Sequence, residues 1–508
     1  MFERVTVRIL FGGIASWCGR AVNVLLGLVL MPVLFRHLPS QELGAWLLLG
    51  QSWAALTIFD LGFGVILTRR IAFANAAKAG SGAALAEVAD LVATGRRVYG
   101  VLGIIALVLS FGAGCFFLRK IDLAGQSATT IWFAWGAMCL SQAIALWAAV
   151  WTCLLQGLGY IGWDTILAAL VNSLTLLAQI ALVFFGGGVV GLAVFAASGA
   201  LVQRLLIIRF VKRRRPDLAL LAGKWSTVKF KEMIAPALRA WLTSLGYLLV
   251  ANTDQFFVTA YKGTTALPAY RAAFLLVINL HLLAGVFSAA SPIFISHLWK
   301  TGDLEKARSI LRRNARIGLW SMACGAGAII AMGPVFFDFW LGAGNFIGYP
   351  VLGIFLITFL LEHHANVFST CGRATDDEAY AASSILTGVL KLFLAWLLTS
   401  RFGLIGLACS TLVAQGAIND WFMVRRSAVR LKVNFADHCR EVLLPIGLLF
   451  AAALGSGCLV KALTPDLNPT ARIVLISAPA MVLLAVSLWR LALEHSQRAW
   501  LLRRIKFA

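Results

Sequence analysis

Apolar runs of about bilayer-crossing length recur along the whole chain, separated by short polar stretches. A helix rises about 1.5 Å per residue and the hydrocarbon core is about 30 Å thick, so about 20 apolar residues cross it. By this measure spans are expected at 9–35, 43–67, 98–118, 130–155, 163–185, 188–210, 235–260, 268–297, 315–333, 349–371, 379–400, 402–424, 442–463 and 471–491. Only Gly186-Gly187-Gly188 separates the fifth from the sixth. One continuous helix there would far exceed the hydrocarbon core, so a hairpin is expected. The pattern predicts an all-α polytopic membrane protein with about 14 transmembrane helices.

Composition agrees with this pattern. The chain of 508 residues is 60% hydrophobic and 13% charged, with mean hydropathy +0.86. Soluble domains carry roughly 25% charged residues. The 17 Trp and 33 Phe suit interfacial belts and lipid-facing surfaces. The nine cysteines stand singly, with no Cys-x-x-Cys, and read as small apolar packing residues. The first apolar run is too long for a signal-peptide core and lacks an Ala-x-Ala exit, so it reads as an uncleaved span.

A net charge of +22 would point to nucleic acid in a soluble protein. Here the basic residues sit in alternate short loops, and no RNA- or DNA-reading motif occurs, so no nucleic-acid partner is expected. One set of loops and ends carries 31 Lys and Arg, the other set 8. The positive-inside rule makes the first set cytoplasmic. An even span count then places both termini in the cytoplasm.

Two internal matches point to duplication. GVVGLA at 188–193 matches GLIGLA at 403–408, an offset of 215. LGAW at 43–46 matches LPAY at 267–270, an offset of 224. They predict two six-helix lobes, 1–215 and 216–430, related by a parallel pseudo-twofold, with two extra C-terminal helices and a basic tail over 431–508. Transporters built on such repeats bind substrate near the midplane and work by alternating access.

Ionisable groups inside spans are costly and so are candidates for function. Arg20 lies about 16 Å into span 1 and Lys391 about 18 Å into span 11, both near mid-membrane. Arg239 follows Pro236 near the start of span 7, where lining a cytoplasmic mouth and snorkelling are equally open. Arg204 and Arg209 at the end of span 6 read as interfacial anchors. Asp60, in IFDLGFG at 58–64, either pairs with an Arg or caps a broken helix. Asp254 stands in a polar cluster with Asn252 and Gln255 that suits a water-lined face. Glu362, His363 and His364 in span 10 are candidates for ion coupling, with Asn366 one turn from Glu362 and His281 a weaker candidate. Buried cations favour an anionic, phosphate-bearing substrate, which Arg grips bidentately and Lys meets as a point charge.

Three stretches carry a family resemblance: MPVLFRHLPSQELGAWLLLGQSWAALTIFDLGFGVILTRRIA at 31–72, NTDQFFVTAYKGTTALPAYRAA at 252–273 with SPIFISHLWKTGDLEKA at 291–307, and FGLIGLACSTLVAQ at 402–415. With them the chain resembles the polysaccharide-transporter (Wzx-type) flippases of the multidrug/oligosaccharidyl-lipid/polysaccharide exporter superfamily. The resemblance implies a V-shaped cavity between two helical bundles. It also implies export of an undecaprenyl-diphosphate-linked oligosaccharide across the bacterial inner membrane, driven by protons or sodium ions. Membrane lipids, a polysaccharide polymerase and chain-length machinery would be its partners, and no cofactor is implied. Arg20 would match the first-helix cation that serves the lipid diphosphate. The pair His363–His364 has no counterpart in the family pattern, so its coupling role rests on this sequence alone.

A cation-coupled drug antiporter of the same superfamily is the alternative reading, although that class favours acidic midplane residues. An enzyme is disfavoured, because no large outer loop, carboxylate cluster or Gly-x4-Gly-Lys-Ser/Thr motif is present. The orientation is directly testable. A fluorescent protein fused after Ala508 is expected to be bright and alkaline phosphatase at the same point inactive; the reverse pattern would put that end outside.

Overall fold

The computed structural model describes residues 19, 22–77, 82–118, 127–217, 223–292, 295, 298, 299, 302–375 and 379–489. Among these there is no β-strand. The chain packs as two compact units, Met1–Pro268 and Ala269–Ala508. In the first, α1 (Val22–His37) precedes α2 (Ser40–Ala55), a 3-10 turn (Leu56–Asp60) and α3 (Phe63–Ala77). It continues with α4 (Gly82–Phe117), α5 (Ala128–Trp147), α6 (Ala149–Gly157), α7 (Ile161–Phe184), α8 (Val189–Arg214), α9 (Thr227–Ala251) and α10 (Asp254–Lys262). The second is built from α11 (Leu267–Ala284), α12 (Val286–Ala290), α13 (Leu304–Leu341), α14 (Tyr349–Arg373) and α15 (Ala381–Ala414). A π-helical turn (Gln415–Asn419) leads into α16 (Asp420–Leu431), followed by α17 (Phe435–His438), α18 (Leu444–Leu463) and α19 (Pro469–Ser487).

Among the described residues, eleven helical stretches are long and apolar enough to cross a membrane. The other expected spans fall in three places. Of span 1, residues 9–18, 20 and 21 lie outside the described residues, and the rest belongs mainly to the shorter α1. Span 2 is split into α2, the 3-10 turn and α3. Spans 11 and 12 share one stretch of 51 residues, Ala381–Leu431, which turns at Gly403. Gly403 has φ 58° and ψ −136°, a backbone conformation that strains any residue with a Cβ. Its counterpart at the offset of 215 is Gly188, in the glycine run that separates α7 from α8. The second match behaves in the same way. At the offset of 224, Leu61 in the break of span 2 meets Gly285, the turn between α11 and α12.

The division at Pro268 differs from the lobe boundary expected at 215/216. Helices α9 and α10 pack with the first unit, and specific contacts hold them there. Asp90 of α4 accepts from the Lys224 backbone N–H at 2.8 Å and from Lys229 Nζ at 3.0 Å. Trp241 Nε1 of α9 donates to the Ile58 carbonyl at 2.9 Å. Gln255 of α10 donates to Gln51 Oε1 of α2 at 2.9 Å.

Each unit buries its own apolar core. The first centres on Leu67, Ile71, Tyr99, Leu154 and Ile207. In the second, Ile295, Leu311, Phe368 and Cys371 form one such cluster. Large apolar side chains on the outside, such as Ile104 and Val108 of α4, are exposed, as a lipid-facing surface requires. Replacing Gly403 by Ala is expected to cost about 1–2 kcal/mol, because the left-handed backbone disfavours a Cβ. Gly353→Ala, whose new methyl meets nothing within 4 Å, is expected to leave stability unchanged or raised. Thermal unfolding of the two variants in one detergent checks the contrast.

Candidate functional site

The break in span 2 is the first polar feature buried in the membrane. The helix stops at Asp60, passes through Leu61 and Gly62 with positive φ, and resumes at Phe63. Asp60 closes the gap: Oδ2 accepts from the Gly64 N–H at 3.2 Å and Oδ1 from the Tyr99 hydroxyl at 2.7 Å. Asp60 thus satisfies a backbone N–H of the resuming helix. Tyr99 is fully buried, and its hydroxyl also lies 3.8 Å from Cys153 Sγ, which donates to the Gly64 carbonyl at 3.6 Å. One buried network thus joins α3, α4 and α6.

Arg204 lies beside this network. It was expected to anchor at the interface, but it is half-buried and donates from Nη1 to Thr152 Oγ1 of α6 at 2.6 Å. Asp164 of α7 accepts from Gln156 Nε2 at 2.7 Å, and both Asp164 and Asp60 lie within electrostatic reach of the guanidinium. Desolvation favours this inward turn only because acids and a hydroxyl surround the charge.

The second unit gathers most of the chain's histidines. His281 of α11 and His363 of α14 meet edge to face, with ring centroids 5.1 Å apart. The next residue, His364, points elsewhere, and its Nε2 lies 3.0 Å from Nε2 of His438 in α17. Glu362 lies in electrostatic reach of Asp420, the first residue of α16. The three neighbours 362, 363 and 364 thus serve three different contacts, because successive helix residues point about 100° apart. A ring ladder from Tyr270 and Phe274 through Phe355 and Phe359 fixes the register of α11 against α14 and ends at this His pair.

The remaining expected residues are dispersed. Arg20 lies outside the described residues. Arg239 belongs to the first unit and is exposed on α9. Lys391 belongs to the second and is fully buried, on the α15 face that carries Ser384, Thr387 and Ala395. Asp254 and Gln255 are buried in the first unit, where a water-lined face was expected. Gln255 is drawn inward by Gln51, so the cluster packs against α2.

The sequence profile of the family described as polysaccharide biosynthesis protein matches residues 10–297, more than half of the chain. The chain belongs to the polysaccharide biosynthesis protein family. No protein of curated function matches it by sequence. Among solved structures, lipid II flippase MurJ in an inward closed conformation is similar, with TM-score 0.69 and 13% identity, over 94% of this chain and 99% of that one. An inward-facing multidrug resistance MATE family transporter of the MOP superfamily is similar with TM-score 0.67 and 13% identity, over 83% of this chain and 98% of that one. A MOP superfamily transporter from Pyrococcus furiosus gives TM-score 0.58 and 14% identity, over 84% and 95%. These likenesses give the member of the polysaccharide biosynthesis family a transporter's fold.

Several polar residues of this family member were not singled out from sequence. Asp420 was legible, because it is an acid inside the expected span 402–424. Asp164 likewise lies just inside span 5. His438 carried no signal, since it stands in a loop and meets His364 only through tertiary packing. Removing the Tyr99 hydroxyl with Tyr99→Phe strands one Asp60 oxygen in the interior. A loss of about 1–3 kcal/mol is expected, read as a lower unfolding midpoint in detergent.

Proposed function

We propose that this chain is a flippase that moves an undecaprenyl-diphosphate-linked oligosaccharide from the cytoplasmic to the periplasmic leaflet of a bacterial inner membrane. It does so by alternating access, coupled to an ion gradient. One observation carries the choice over a drug antiporter. The likeness to the lipid II flippase runs over 94% of this chain, whereas the multidrug transporter covers 83%. The difference amounts to roughly a helix pair, and α18 and α19 form such a pair after the second unit's other helices.

A crevice in the second unit supports a lipid substrate. Leu280 and Ala284 of α11, Cys324 and Ala328 of α13, and Met481 and Leu484 of α19 line a largely apolar space of about 260 Å³. Helix α19 forms one wall, which gives the last helix a role as part of a seat for an isoprenoid stretch. Arg20, Arg239 and Lys391 are assigned to the diphosphate, where a cation offsets the loss of phosphate hydration. Asp60 and Asp254 remain candidates for charge pairing as the helices move. Glu362, His363 and His364 are assigned to ion coupling. Both termini face the cytoplasm in this reading.

Cells lacking their own flippase, supplied with this chain, test the proposal. Lys391→Met and Arg20→Gln, at matched protein levels, are expected to lower surface-glycan export at least about tenfold, the effect of losing roughly 1.4 kcal/mol of transition-state stabilisation. Wild-type export by both variants would remove the cationic site from the mechanism. Protection against cationic drugs by the wild-type chain, without glycan export, would favour the antiporter instead.

A further inference from the structure

His363 is 1% exposed, and neither of its ring nitrogens has a hydrogen-bond partner among the described residues. His281, whose ring packs against it, is 7% exposed and has an unpartnered Nδ1. Asn314 of α13 is 2% exposed, and both its amide oxygen and its amide nitrogen lack partners among the described residues. Asn314 stands one turn from Gly318 on the same helix face. Gly318 in turn touches His363 so closely that a Cβ there would lie 2.0 Å from Nε2. Three helices therefore converge on a buried notch of unpartnered polar atoms. Each neutral imidazole carries one N–H and one acceptor, and leaving these unmade in a membrane interior costs about 1–3 kcal/mol per group. Where there is room for it, water is the partner such groups take when the protein supplies none.

We propose that His363, with His281 beside it, is the proton-binding site of the second unit, and that Asn314 marks its water-lined approach from the basic end of α13. This rests on the flippase reading and names the coupling ion as the proton. The donor set argues for the proton over sodium, because hard cations select oxygen ligands whereas the open atoms at His363 and His281 are imidazole nitrogens.

The surrounding charges are few. On α11 the titratable neighbour is His281. On α13 the contact residue is Gly318, while Arg316 is committed to Glu441. On α14 itself, Glu362 lies towards Asp420, and His364 is engaged by His438, which Arg312 and Arg316 approach. A proton arriving through water takes the free lone pair of His363 and forms an imidazolium. Among the described residues no carboxylate contacts that cation in the closed notch, so its burial is unfavourable by several kcal/mol. Protonation therefore favours a conformation in which the notch between α11, α13 and α14 opens to water. Release of the proton on the other side restores the neutral ring and the closed packing.

The test uses the purified full-length chain in liposomes, with a fluorescent undecaprenyl-diphosphate-linked disaccharide as probe. Imposing a pH gradient is expected to accelerate probe movement about tenfold in the wild type and by less than twofold in His363→Gln. Gly318→Ala, which displaces the same ring, is expected to lose the acceleration too, so a folding defect in one variant does not decide the outcome. Acceleration retained by either well-folded variant overturns the proposal. Acceleration by a sodium gradient alone also overturns it, while leaving the flippase reading intact. If the wild type moves no probe, the flippase reading fails and proton binding decides the site on its own. A potentiometric difference between wild type and His363→Gln of one proton per chain between about pH 2 and 8, a window wide enough for a buried imidazole, supports the site, and no difference overturns it.

Discussion

Inside a bilayer no water is available to backbone groups, so every N–H and C=O must find a partner within the protein. Unbroken helices satisfy this automatically, and each interruption needs a specific remedy. In span 2 the Ile58 carbonyl takes the Trp241 indole N–H, and the Gly64 N–H takes the Asp60 carboxylate. The remedy also fixes the packing. Trp241 belongs to α9 and Tyr99 to α4, so closing one gap ties three separate helices together. At Gly285 the turn keeps its bond to the His281 carbonyl at 3.0 Å, so span 8 bends with its ladder largely intact.

The same shortage of water explains the treatment of ionisable side chains. Arg204 faces Thr152 and nearby acids, and Arg316 faces Glu441, so both charges have partners. Breaking the Arg204 pairing would leave a charge in low dielectric, whereas the Arg316–Glu441 pair is partly open to solvent and weaker. The His281–His363 notch departs from this economy, because both ring nitrogens of His363 and Nδ1 of His281 have no protein partner among the described residues. That departure makes it a natural place for a mobile proton, whose arrival and loss change the cost of keeping the notch closed.

Family membership and fold act at different levels here. The family ties the chain to polysaccharide biosynthesis, and the fold is one shared by membrane transporters. Neither names a sugar. The apolar crevice beside α19 and the buried cation on α15 are features of this chain's own packing, and they suit a substrate with a long apolar tail and an anionic head.

Hydropathy alone determined the helical membrane class, because about 20 apolar residues in a row have few other solutions. GVVGLA and GLIGLA each stand at the turn of a helical hairpin, and at Gly403 the positive φ favours glycine. Candidate residues were legible as costly charges in spans, among them Asp60, Lys391 and Glu362. Their partners were not. Residues 362, 363 and 364 looked like one cluster along the chain, yet helix geometry sends them to Asp420, His281 and His438 respectively. Asp254 looked open to water until Gln51 drew its neighbour Gln255 inside. The break in span 2 could be suspected from Leu61-Gly62, but which side chains sealed it depended on α4 and α9 arriving from far along the chain. Sequence fixes what must be buried in lipid; only tertiary packing decides which buried polar group meets which, because those contacts join helices whose order along the chain does not set their spacing in space.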